Sequence, residues 1–174
     1  MKRHHIILTT VFLTLAVIFV AGWYLLPIEL FPDRDTTNNS DITQYAVWEH
    51  EDRCFYLDVA DTSTLRRQGL SGRESLGSNE GMLFLYRLSG EYGFWMRDMN
   101  FPIDIIWLDR NDEIVTIVSS ALPDSYPEIY YPDNSARKII EVSAGVAEKL
   151  DLNIGDRLDV SPATSTPSVD CAML

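Results

Sequence analysis

Residues 6–26 read IILTTVFLTLAVIFVAGWYLL, with no charged side chain anywhere in the run. As a helix rising about 1.5 Å per residue, such a stretch matches a hydrocarbon core about 30 Å thick. The chain is therefore expected to cross a membrane once. Lys2 and Arg3 precede the run, whereas Glu29, Asp33, Arg34 and Asp35 follow it. The positive-inside rule then leaves residues 1–5 in the cytoplasm and everything after residue 26 outside it, with Trp23 and Tyr24 at the outer interface. The competing reading is a cleaved signal peptide, since Ala21 and Gly22 are small. Signal peptides usually carry an apolar stretch of about 7–15 residues, and this one runs longer. Under that reading the chain is secreted or periplasmic, and the domain is extracytoplasmic under both.

The apolar segment divides the rest of the chain. Residues 27–44 hold Pro27, Pro32 and the polar DRDTTNNSDITQ, the composition of a flexible linker, with a glycosylation sequon at Asn38-Asn39-Ser40. Residues 161–174 are rich in Ser, Thr and Pro and read as a disordered tail. One domain remains, residues 45–160. Its apolar period is mostly two, which predicts short strands over 54–59, 82–86, 93–97, 103–108, 114–118, 138–142 and 156–160. Asp109-Arg110-Asn111-Asp112-Glu113 reads as a hairpin loop. Two helices are expected, at 63–68 after Asp61 and Thr62, stopping at Gly69, and at 144–150 capped by Ser143. Strands with few helices and no βαβ alternation point to a mainly-β sandwich or barrel of about seven short strands with two short helices.

Charge and composition exclude much chemistry. The net charge is −12, and the only basic residues before the apolar segment are Lys2 and Arg3, so the acidic excess lies wholly beyond it and would repel nucleic acid. Cys54 and Cys171 show no metal-ligand or redox spacing; they either pair as a disulfide or remain a buried thiol and a loose one. Of the three histidines only His50 falls in the outer domain, too few for a three-histidine metal site, and as the base of a Ser-His-Asp triad it would lie in a segment without evident structure. Gly69-Leu70-Ser71-Gly72-Arg73 lacks the last glycine of a nucleophile elbow, and Asp109-x-Asn111-x-Glu113 has Ile114 where a calcium loop needs glycine. No metal and no cofactor is expected.

A succession of motifs is more specific: Arg66-x-x-Gly69-Leu70-x-Gly72-Arg73-x-x-Leu76, Gly81-Met82-Leu83-Phe84, Phe94-Trp95-Met96-Arg97-Asp98 and Pro102-Ile103-Asp104-Ile105, closing with Ile140-Glu141-x-x-x-Gly145 and Ile154-Gly155-Asp156. In this order they resemble the family catalogued as domain of unknown function 192, over about residues 59–160. The resemblance implies a compact, often exported, mainly-β domain with no established activity. The chain departs from the family pattern at Ser71 and at Arg97-Asp98-Met99, where the family usually resembles Lys-Asn-Thr. An arginine there can bind an anion or pair with a carboxylate, but it cannot serve as a base.

Alternation sends Phe94 and Met96 one way and Trp95 and Arg97 the other, setting an aromatic face beside a cation. In the next strand both faces are apolar, and Asp104 shares a face with Ile106; a buried carboxylate needs a partner or several hydrogen bonds, and Arg73 and Arg97 are the candidate partners. Arg73, Trp95, Arg97, Asp98 and Asp104 are thus candidates for one ligand-binding site, the alternative being an internal brace at Asp104. Glu141 is a secondary candidate, read first as a local cap or ion pair. Tyr126, Tyr130 and Tyr131, between Pro127 and Pro132, suit either a ligand-binding rim or a packed lid. No catalytic residue is assigned. The leading expectation is a membrane-anchored extracytoplasmic module binding a small polar or anionic ligand or a glycan. The alternatives are an envelope scaffold and a hydrolase or lyase using a carboxylate pair.

Overall fold

The computed structural model describes residues 44–51 and 53–162, which fall within one compact unit. The apolar segment at 6–26, nearly all of the linker, the tail beyond residue 162 and Cys171 lie outside the described residues. Among the described residues no helix is long and apolar enough to cross a membrane.

The elements are β1 (Tyr45–His50), β2 (Arg53–Ala60), α1 (Ser63–Gln68), β3 (Glu80–Gly90), β4 (Ile103–Leu108), β5 (Ile114–Ala121), β6 (Ala136–Ser143), α2 (Val146–Lys149) and β7 (Asp159–Pro162). They build one seven-stranded sheet in the order β5-β4-β6-β3-β2-β1-β7 rather than two packed sheets. Every pairing is antiparallel except β2 with β3, which run parallel and are joined through α1. That crossover corrects the expectation of no βαβ step: α1 is a single short helix, too brief to register as periodic alternation.

The sheet curls into a half-barrel. Trp48 on β1 and Ile114 on β5, from strands near opposite edges, join the same buried cluster, together with Phe55, Leu57, Ile106, Ile140 and Val142. The segment before β7 meets the start of β5 through Ile114 N–H to Asp156 O (2.8 Å) and Leu158 N–H to Asp112 O (2.9 Å). A second cluster, with Met82, Phe84, Phe94, Ile105, Trp107 and Ile139, covers the other face. The residues of β4 divide as alternation predicts: Ile103, Ile105 and Trp107 on one face, Ile106 and Leu108 on the other.

Three local expectations change. β1 is a strand although its sequence shows little alternation; Ala46 and Trp48 are buried inside the curl, and on the other face Val47 is buried between the exposed Tyr45 and Glu49. Residues 93–97 form no strand, only the bridge Phe94 to Tyr130. The second helix begins at Val146, after Gly145 in the left-handed region, and has no side-chain cap from within; Ser143 belongs to β6 instead.

α1 follows its sequence signals. The Thr62 hydroxyl accepts from Leu65 N–H at 3.2 Å, and Gly69, at φ 54, ends the helix by donating its N–H to Leu65 O. Thr62→Ala is expected to lower stability by about 1 kcal/mol, read from the urea midpoint; an unmoved midpoint would show that this cap contributes nothing.

Candidate functional site

Two turns on the outer face of the sheet are stitched together. Ser71 Oγ donates to Arg97 O (2.9 Å), Gly72 N–H to Asp98 O (2.8 Å) and Asn100 Nδ2 to Arg73 O (2.8 Å). The Gly69–Arg73 and Phe94–Asp98 motifs, distant in sequence, are therefore adjacent in space. The second turn is pinned from below: the Phe94 ring meets Phe84 edge-on at 4.7 Å and Trp107 at 5.8 Å, and Trp107 Nε1 donates to Tyr92 O at 3.0 Å. With Phe94 and Met96 buried, Trp95 is left 43% exposed. Arg97 lies over its ring at 5.4 Å, so the aromatic and cation expected from alternation do meet, on a turn rather than a strand. Tyr126 approaches Trp95 edge-on at 6.5 Å.

Between these turns, α1 and β3 lies a cavity of about 110 Å³, with Arg66, Arg67, Gly69, Ser71, Phe84, Tyr86, Phe94, Trp95 and Glu141 among its lining. Glu141 forms its floor. The cross-strand register sets Asp58, Met82, Glu141 and Ile105 in one row across four strands, so Glu141 points outward while its neighbours Ile140 and Val142 point into the curl. It is 5% exposed, and its Oε2 has no hydrogen-bond partner. Burial pushes its carboxyl up to about 8, against the pull of the Arg73 guanidinium. Arg73 is itself engaged in an ion pair with Asp58. A Cβ on Gly69 would lie 3.4 Å from the Phe84 ring and 3.9 Å from Glu141 Oε2, so the bare glycine leaves the floor open.

The mouth carries positive charge. Arg66 is held by Nη1 donating to Asp61 O and Leu85 O, and it stacks over Tyr86 at 4.8 Å. Burial raises the Tyr86 phenol above its ordinary value, and Arg66 partly offsets this. Neither Arg66 nor Arg67 makes an ion pair with a described carboxylate.

The sequence candidates therefore separate. Trp95 lines the cavity, and Arg97 lies on Trp95. Asp98 is largely exposed and pairs with Arg97 at 3.5 Å. Arg73 acts on the floor electrostatically while bonded to Asp58. Asp104 lies on the opposite face: its row holds Leu57, Gly81 and Val142, inside the curl. Its partners are not Arg73 or Arg97 but three backbone N–H groups, of Ser120 (2.8 Å), Gly145 (3.2 Å) and Ala147 (2.8 Å), so it caps α2 from a neighbouring strand. Tyr130 is tied to Phe94 through paired backbone hydrogen bonds of 2.8 and 2.9 Å, and Tyr131 packs against Gly93, so this segment packs on the domain.

Glu141, Arg66, Arg67 and Tyr86 are the residues that sequence reasoning undervalued or missed. A signal for Glu141 was present, since Ile139-Ile140-Glu141-Val142 is a strand apolar on both faces, the same pattern that marked Asp104 as buried. Among the described residues no group of three or more His, Cys, Asp or Glu side chains is placed to hold a metal ion.

Comparison with known proteins locates the fold. The model of the DUF192 family, described as an uncharacterized ACR, matches residues 46–160. No curated protein matches. Among solved structures, a protein from Sinorhizobium meliloti 1021 described as a candidate transcription regulator is similar at a TM-score of 0.61 and 23% identity, over 67% of this chain and 92% of its own. A protein of unknown function from Novosphingobium aromaticivorans DSM 12444 is similar at a TM-score of 0.58 and 27% identity, over 66% of this chain and 83% of its own.

Proposed function

Since the chain belongs to the DUF192 family, which is described as uncharacterized, we propose from its own site that it is a membrane-anchored extracytoplasmic binding module. Its ligand is a small polar or anionic molecule, or one group of a glycan, seated between Trp95 and Glu141. The observation that carries this reading is the Glu141 carboxyl, buried with an unpartnered oxygen at the floor of an open cavity. A buried polar atom without a partner costs about 1–3 kcal/mol, and a ligand hydrogen bond would recover much of that. The cavity of about 110 Å³ is well below the roughly 300–1,000 Å³ of sites that enclose drug-sized molecules. It therefore receives a small group, with the rest of the ligand lying along Trp95.

The carboxylate-pair hydrolase reading has less support. It needs two carboxyls about 5–10 Å apart across one cleft, and among the described residues Glu141 is the one carboxyl lining this cavity. The anchor at 6–26 adds the location, because it would hold the domain near the outer membrane surface.

A thermal-shift screen of the full-length chain against sugars, nucleotides and carboxylic acids tests the proposal. At least one class should raise the transition temperature; no stabilising compound would favour the scaffold reading instead. Trp95→Ala is expected to weaken a hit about 2- to 12-fold, as loss of a stacking ring worth about 0.5–1.5 kcal/mol implies. Because Trp95 is exposed, the unliganded transition should stay nearly fixed. Unchanged affinity would remove Trp95 from the site.

A further inference from the structure

Resting on that reading, we infer that the pocket is selective for a small carboxylate with a short apolar body, which accepts a hydrogen bond from the Glu141 carboxyl and is drawn in by Arg66 and Arg67.

The charges around the pocket choose the sign of the ligand. The chain is acidic overall, with a net charge of −12, yet α1 brings two arginines to the mouth and no acidic residue in its first turn. Arg66 and Arg67 from α1 and Tyr86 from β3 line the pocket with Glu141, Arg73 from the following turn acts on its carboxyl, and Asp58 from β2 and the apolar Ile105 from β4 share its cross-strand row. Asp58 pairs with Arg73, whose guanidinium still favours ionisation of Glu141. The two α1 guanidinium groups in the lining repel an ammonium and attract an anion.

An anion would be rejected at the floor only if Glu141 were ionised. Desolvation keeps the carboxyl protonated up to about 8, so below that pH it presents an O–H donor. A ligand carboxylate and Glu141 then share one proton between them, as two carboxyls brought into one site do. The proton already resides on Glu141, and no other group must supply it. The rings of Phe84, Phe94 and Trp95 share the lining with Arg66, Arg67, Ser71 and Tyr86, so part of the wall is apolar. Those rings suit an apolar body of a few carbons.

Isothermal titration of the full-length chain with butyrate, butyramide, butylamine and glucose, at several pH values, tests the inference. Butyrate should bind at about pH 6.5 in preference to the other three, and its affinity should fall by about tenfold per pH unit above 8 as the floor loses its proton. Glu141→Gln, whose carboxamide does not ionise, should abolish the fall above pH 8 whatever its affinity at low pH. Arg67→Gln, at an exposed position, should weaken butyrate several-fold and reduce its salt dependence. Butyramide, butylamine or glucose binding as well as butyrate overturns the carboxylate assignment while leaving the pocket a binding site. So does a wild-type butyrate affinity that is flat in pH. If none of the four binds at any pH, the carboxylate assignment fails; if the broad ligand screen is also empty, the binding reading fails with it.

Discussion

Replacing Asp104 with alanine is expected to lower the stability of the domain by about 3–5 kcal/mol. The carboxylate is fully buried and accepts from Ser120, Gly145 and Ala147 N–H groups, which belong to β5, the turn before α2 and α2 itself. Alanine leaves three buried donors without that acceptor and removes a side chain that caps α2, a helix whose own N-cap residue makes no side-chain hydrogen bond. Asp104→Asn should fall between wild type and alanine, since its amide oxygen can still accept but its NH₂ must face a donor. Urea denaturation measures the loss. Amide exchange then separates the cap from a general destabilisation: Ser120, Gly145 and Ala147 should lose protection first, ahead of Ile105 and Ile140. A loss below about 1 kcal/mol would mean that water or other acceptors readily replace the carboxylate.

Stability is expected to decrease as pH rises from about 4.5 to about 8 through Glu141 alone. Its folded-state pKa is raised above the unfolded value, so between these limits the native state binds more protons than the unfolded state, and the slope of stability with pH is negative. Below about 4.5 both states are protonated and the contribution is fully present; above about 8 both are ionised and it has been lost. The difference between the two plateaus is roughly 3–5 kcal/mol. Surface carboxylates contribute pH dependence of their own, so the comparison is wild type against Glu141→Gln. The variant should match or exceed wild type at neutral pH and diverge from it further as pH rises. Parallel curves would place Glu141 in contact with solvent and remove the physical basis of the site.

The two carboxyls show how far sequence carries a reading and where it stops. Period-two alternation gives the faces of β4 correctly, and so marks Asp104 as buried; it cannot say what crosses over that face. The helix α2 does, from about forty residues further along the chain, and it satisfies Asp104 with backbone rather than with an arginine. Glu141 carries the same alternation signal one strand away, but its register against β4 places it on the opposite face. Register is a tertiary property, and a shift of one residue exchanges the two faces. The strand over 93–97 fails for a related reason: Phe94 and Met96 do point inward and Trp95 outward, but Phe94 is held by Phe84 and Trp107 rather than by a ladder. β1 was hidden because Val47, on its outward face, is apolar, so that Ala46-Val47-Trp48 reads as an unbroken apolar run. The linked motifs fared best, since their order in the sequence reflects two turns bonded to each other around one cavity.

Glu141 is a buried carboxyl, raised to about 8 by desolvation, in the lining of the cavity proposed to bind the ligand. Its side-chain carboxyl can be followed directly by carbon NMR in the full-length protein, titrated with and without butyrate. The midpoint should lie near 8 and move upward when butyrate is present, because a bound carboxylate further disfavours ionisation. A midpoint in the ordinary glutamate range, near about 4.3, and indifferent to butyrate would contradict it.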